Sequence, residues 1–165
     1  MVRTTPQSDA LSILRTAQEQ VASRSAEALL SRDARDWVSQ YVRHLLDGRH
    51  PFARYATGES GLFAIPNTVL IALAADWGTG TDSAYRVGDA IAARHPEITM
   101  HLGDVYYTGA AAEFEDYFLP DNCWPRGTLG TYALNGNHEM YSGGHGYFDH
   151  ALPRLDQRAS YFCLH

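Results

Sequence analysis

Seven consecutive apolar residues, Val69 to Ala75, form the longest unbroken apolar run in the chain. The run follows Thr68 and stops at Asp76. Continuous apolar character over so short a length predicts a strand buried on both faces, as in a parallel sheet. Shorter runs recur downstream. Ile98 to Leu102 ends at Gly103-Asp104, and Thr131 to Leu134 ends at Asn135-Gly136-Asn137-His138. A fourth short strand is predicted from Ser160 to Leu164. Between them lie a predicted helix from about Ser83 to Arg94 and a short one around Glu113–Phe118.

Upstream the period changes. Leu11, Leu14, Ala17, Val21 and Leu29 keep a helical spacing, from a cap near Ser8 or Asp9 to about Arg32. A second helix is predicted from about Arg35 to Leu46. Trp37, Val38, Tyr41, Val42, Leu45 and Leu46 form its apolar face, and Gly48 is placed to stop it. Pro51, Gly58, Gly61 and Pro66 then mark a loop. The pattern divides the chain into a helical N-terminal segment, residues 1–64, and an α/β segment, residues 65–165.

The spacing of the strand ends sharpens this picture. Asp76 to Asp104 is 28 positions and Asp104 to Asn137 is 33. Each step matches a βαβ unit of about 30 residues. The three polar residues then emerge together at the carboxyl ends of parallel strands, the edge where open α/β sheets bind ligands.

Composition adds limits. The chain has 165 residues, 45% of them hydrophobic, and a net charge of −6. That is enough apolar material for a core, and the negative balance argues against a non-specific nucleic-acid binder. All thirteen basic residues are Arg. Residues 55–165 carry 5 Arg against 13 acids, a charge of −8, so the acidity sits in the α/β segment. Cys123 and Cys163 lack C-x-x-C spacing and are expected to be free thiols. No apolar signal core or membrane-length run is found, so a cytoplasmic location is the default expectation.

The residues at the strand ends are hard oxygen donors with a histidine beside them: Asp76, Asp104, Tyr107, Asn137 and His138. Such donors suit divalent or trivalent cations, and a central carboxylate can bridge two of them. Taken singly, Asp76 and Asp104 are ordinary turn residues, and Tyr107 stands next to another aromatic, Tyr106. Glu139 is expected to orient a neighbour, and His101 to be a packed, hydrogen-bonded strand residue. An exposed loop position is expected for His145. The Gly78-Thr79-Gly80-Thr81 stretch allows a nucleotide-binding alternative, but no Lys is present to serve a P-loop.

Three short blocks carry a family resemblance. Asp76-Trp77-Gly78, Gly103-Asp104-Val105-Tyr106-Tyr107 and Gly136-Asn137-His138-Glu139 resemble the D-x-G, G-D-x-x-Y and G-N-H-[D/E] blocks of the calcineurin-like metallophosphoesterases. Gly78 in the first block and Tyr107 in the second are similar to the purple acid phosphatase branch. The resemblance implies a four-layer sandwich, of which residues 65–165 would be the βαβ-type N-terminal half. It implies two metal ions, ferric iron plus zinc, manganese or ferrous iron. Asp76 and Tyr107 would bind the first, Asp104 would bridge, and Asn137 would bind the second. His138 would act on the substrate as acid or charge stabiliser, with Asn137 also near it. The reaction implied is hydrolysis of a small phosphate mono- or diester by a hydroxide that the metal pair activates. No nucleic-acid or membrane partner is implied, and the oligomeric state stays open.

The family pattern is incomplete in this sequence. Its V-x-x-H and G-H-x-H blocks do not occur between Tyr141 and His165, and Gly144-His145-Gly146 carries Tyr147 where the second His would stand. Four of the seven family ligands are therefore present. The alternative reading is a truncated or degenerate metal- or phosphate-binding protein without catalysis.

Overall fold

The computed structural model describes Gln40, His44 and residues 48–165. Both predicted N-terminal helices lie outside these residues, except that Gln40 and His44 are helical. The fold is α/β. Its centre is a three-stranded parallel sheet in the order β2 (Ile71–Ala74), β3 (Ile98–His101), β4 (Gly130–Ala133). Helix α1 (Asp82–Ala92) connects β2 to β3, and α2 (Ala111–Tyr117) lies between β3 and β4. Then follow α3 (Asn137–Tyr141), a π-helical turn (Gly146–Ala151) and α4 (Leu152–Arg154). The boundaries differ from the sequence expectation by a few residues, most at the short strands and α2.

Local chemistry explains the connections. Thr81 caps α1, its hydroxyl accepting from the N–H of Ala84 at 3.4 Å. The apolar side of α1 lies close on Trp77, whose indole donates to the carbonyl of Ala84 at 2.6 Å. Gly88 lies on this contact, where a Cβ would stand 3.4 Å from both Cys123 O and the Trp77 ring, an ordinary packing distance.

Register partners share a face of the sheet, because side chains alternate along each strand. Ala74, His101 and Ala133 are register partners. Their face packs on the main core, where Trp77, Phe114, Phe118, Trp124, Tyr147 and Leu152 are buried. Each such side chain contributes about 1.5–3 kcal/mol by leaving water, so this aromatic cluster dominates the unit's stability. The free edge of β4 is satisfied by a side chain. The Gln157 amide accepts from Ala133 N at 2.9 Å and donates to Ala133 O at 2.8 Å.

The opposite face meets a second, two-stranded sheet. β1 (Leu62–Phe63) pairs in parallel with β5 (Cys163–Leu164). Its Phe63 ring lies 5.2 Å from Tyr132 of β4, and Phe162 stacks on Tyr132 at 4.7 Å. The pairing draws part of the expected Pro- and Gly-containing loop into the α/β unit.

One expectation fails. The first apolar run is not buried on both faces. β2 is the sheet's edge strand, Leu73 is 57% exposed, and Leu70 just before it is 50% exposed. For Leu73 the cause is the placement of the small β1–β5 sheet: Leu73 shares a face with Tyr132, and the aromatic contacts of the small sheet fall on Tyr132 in β4 and leave β2 uncovered.

Candidate metal centre

The carboxyl ends of β2, β3 and β4 carry Asp76, Asp104 and the pair Asn137–His138, as the spacing required. Two of these residues have backbone conformations that L side chains rarely adopt. Asp76 has φ +56° and Asp104 has φ +67°. Non-glycine residues held in this region cost of order 1–3 kcal/mol each, and such strain clusters at functional sites. The surroundings hold them in place. Asp76 N donates to Gly103 O at 3.0 Å, tying the β2 end to the β3 end. Gly103 lies so close to the next loop that a Cβ would meet Gly136 N at 2.5 Å.

A chain of contacts links the side chains. The Tyr106 hydroxyl donates to Asp76 Oδ1. The Tyr106 ring lies 4.3 Å from the His138 ring. His138 N donates to Asp104 Oδ1 at 3.0 Å. His138 Nδ1 donates to the Tyr107 carbonyl at 2.7 Å, which leaves Nε2 as the ring atom for any substrate contact. Asn137 begins α3, and its amide donates to the Tyr141 hydroxyl at 3.0 Å. Tyr141 in turn stands 5.0 Å from the His138 ring.

The phenol on Asp76 belongs to Tyr106, where the motif pointed to Tyr107. The Tyr107 main chain is engaged on both sides, its N–H by the Glu113 carboxylate and its carbonyl by His138. Glu113 also accepts from Ala110 N at 2.8 Å and so fixes the start of α2. Burial, then the hydrogen bond and charge of Asp76, push the Tyr106 hydroxyl above the usual phenol range.

Beneath the site lie two buried polar residues. Glu139 is fully buried, and its carboxylate accepts from Gly136 N at 2.6 Å, Val105 N at 2.6 Å and Asp104 N at 3.1 Å. It therefore binds the β3 loop to the β4 loop, the orienting role expected of it. Burial raises its pKa, and those backbone N–H groups pull in the opposite direction. His101 is 1% exposed, with its ring 5.2 Å from Phe118 and 5.1 Å from Trp124. Nδ1 accepts from Gly103 N at 3.3 Å, whereas Nε2 is buried without a hydrogen-bond partner. The expected hydrogen bonding of His101 is thus met at one nitrogen only. Desolvation lowers its pKa to about 4, so the ring is neutral at physiological pH.

Chemically, the set offers two carboxylates, a phenol, an amide and an imidazole. The oxygen donors fit hard cations, and the imidazole fits charge stabilisation or proton donation at a leaving oxygen. The glycine-rich loop after β2 does not form an open cradle: the Tyr117 ring lies 2.6 Å from where a Gly80 Cβ would stand. No helix among the described residues is long and apolar enough to cross a membrane. Comparison with family models, curated proteins and solved structures finds nothing that matches this chain.

Proposed function

We propose that the chain carries the metal- and substrate-binding edge of a metal-dependent phosphoesterase, acting on phosphate mono- or diesters. The observation that supports this reading is the contact chain Asp76–Tyr106–His138–Asp104 at the ends of three adjacent parallel strands. Asp76, Asp104 and Asn137 would hold the metal ions, with a tyrosine hydroxyl beside Asp76. Bound there, two cations supply Lewis acidity and an activated water. The finer fold reading, half of a four-layer sandwich, is supported by two parallel sheets packed face to face through Tyr132, Phe63 and Phe162.

The protein's own residues set the rest. His138 is fixed by its Nδ1 bond to Tyr107 O and by rings on two sides. Its Nε2 can hold a phosphoryl oxygen or deliver a proton to the leaving oxygen. Asn137 presents an amide next to it, suited to a neutral hydrogen bond with the ester. Gly103 and Gly136 let the two ligand loops touch, which keeps Asp104 beside His138.

The test is hydrolysis of p-nitrophenyl phosphate and bis-p-nitrophenyl phosphate by the full chain, loaded with iron and zinc or manganese. His138→Ala should lose most activity and keep metal, and Asp104→Ala should lose both. Full activity in Asp104→Ala would overturn the assignment.

A further inference from the structure

Asn137 and Tyr141 stand one turn apart on α3, so their side chains share a face of it. The Asn137 amide donates from Nδ2 to the Tyr141 hydroxyl at 3.0 Å. The segment that carries Tyr141 is fixed from several sides. Its ring lies 5.0 Å from the His138 ring, at 65° to it. The next residue, Ser142, donates from its hydroxyl to Gly109 O at 3.0 Å. Gly144 N donates to Glu139 O at 2.9 Å, and the Glu139 carboxylate is buried against the β3 and β4 loops. The phenol oxygen is therefore a fixed point for the amide to bond.

Asn137 differs from the two aspartates of this edge in one chemical respect. A carboxylate can turn either oxygen to a cation. An amide has one oxygen and one NH2 group, nearly equal in size and opposite in charge. The terminal torsion of Asn is broad and roughly two-fold, so packing alone selects neither presentation on an exposed side chain. Asn137 is exposed. With Nδ2 tied to the Tyr141 hydroxyl, Oδ1 is the atom left to act as a ligand. The two contacts also reinforce each other, because a cation on Oδ1 polarises the amide and makes Nδ2 a stronger donor.

We propose that Tyr141 is a positioning residue for the second of the two cations, its hydroxyl holding Nδ2 of Asn137 so that Oδ1 is presented as the ligand. This role rests on the phosphoesterase reading, in which Asn137 would bind that cation. It requires the hydroxyl and not merely the ring. Hydrogen-bond partners behind a metal ligand contribute roughly ten- to a hundredfold in metal affinity. A single neutral bond on an exposed amide belongs at the lower end of that range.

The experiment is zinc titration of the iron-loaded full chain by calorimetry, which needs no turnover. Tyr141→Phe keeps the ring against His138 and removes only the hydroxyl. It should weaken zinc about tenfold. Asn137→Asp supplies two equivalent oxygens and abolishes the need to choose between them. In that background Tyr141→Phe should leave zinc affinity unchanged. Both substitutions conserve shape, and circular dichroism checks that each variant is folded. An equal loss in the Asn137→Asp background overturns the proposal, because it assigns Tyr141 a packing role. So does unchanged binding in Tyr141→Phe alone, and if Asn137→Ala still loses zinc the phosphoesterase reading survives that result. Zinc that Asn137→Ala leaves unchanged, or that the parent does not bind, overturns the metal reading at Asn137 and this role with it.

Discussion

The carboxylate of Glu139 holds the main-chain N–H of Val105 at 2.6 Å across 34 residues of sequence. The same group takes the N–H of Asp104 and of Gly136, so one buried side chain fixes the loops that follow β3 and β4. Glu139→Gln keeps the shape and loses one acceptor oxygen, and its amide NH2 faces backbone donors. Hydrogen bonds to a charged group contribute about 1.5–3 kcal/mol, so a loss of about 2 kcal/mol is expected. Urea denaturation with an unchanged slope measures it. A loss below about 0.5 kcal/mol, the level of ordinary surface substitutions, would show that the three contacts do not carry the loops.

Motif and structure point to different tyrosines. The G-D-x-x-Y block selects Tyr107, whereas the hydroxyl on Asp76 is that of Tyr106. A phenolate bound to ferric iron absorbs in the visible range, which gives a readout independent of turnover. In iron-loaded protein, Tyr106→Phe should abolish this band and Tyr107→Phe should keep it. The reverse result returns the ligand to Tyr107. No band in the unsubstituted protein removes tyrosine ligation altogether.

The close contact between the Gly103 and Asn135–Gly136 backbones leaves no room for a side chain at Gly103, and the Asp104 carboxylate leaves none at Gly136. In Gly103→Ala, a Cβ at φ +105° would lie 2.5 Å from Gly136 N and 2.9 Å from Asn135 C. Both obstacles are backbone, so neither can swing aside. The expected destabilisation is about 3 kcal/mol, the range of strained or overpacked sites. Under the proposed function, the metal that Asp104 would hold should be lost with it. A melting temperature within a degree of the parent would contradict the geometry.

These cases show where the sequence was informative. Asp76, Asp104 and Asn137 could be placed at one edge because each follows an apolar run, and runs about 30 residues apart build adjacent parallel strands. An orienting role for Glu139 was expected from its place beside Asn137 and His138, but its three backbone partners were not. Nor was the exposure of β2. Whether a strand's second face is covered depends on a separate layer, here two strands of two residues each, at Leu62–Phe63 and Cys163–Leu164. Strands so short leave no periodicity, and their pairing spans about a hundred residues. That the hydroxyl on Asp76 is that of Tyr106 was equally hidden. Adjacent aromatics differ only in which way the backbone turns after Asp104, and Glu139 and Glu113, both outside the G-D-x-x-Y block, hold that turn.

His101 makes stability depend on pH in a definite direction. Its folded pKa is lowered to about 4 by burial, while a free histidine titrates near 6.5. Between these values the unfolded chain binds a proton that the folded chain refuses. Unfolding free energy therefore rises with pH through this window and falls as pH drops from 6.5 towards 4. With the ring 1% exposed, solvent screening is small, and the loss is of order 3 kcal/mol at about 1.4 kcal/mol per pKa unit. Asp76 and Asp104 nearby favour the charged ring and oppose the shift, so metal-free protein in chelator is the appropriate sample. Glu139 contributes with the opposite sign, because its raised pKa makes acid less costly to the fold. The informative quantity is therefore the difference between parent and His101→Gln, which carries no titrating ring. Urea midpoints from pH 7.5 to 4 should fall more steeply for the parent. Parallel curves would mean that His101 takes up its proton without unfolding the sheet beneath the site.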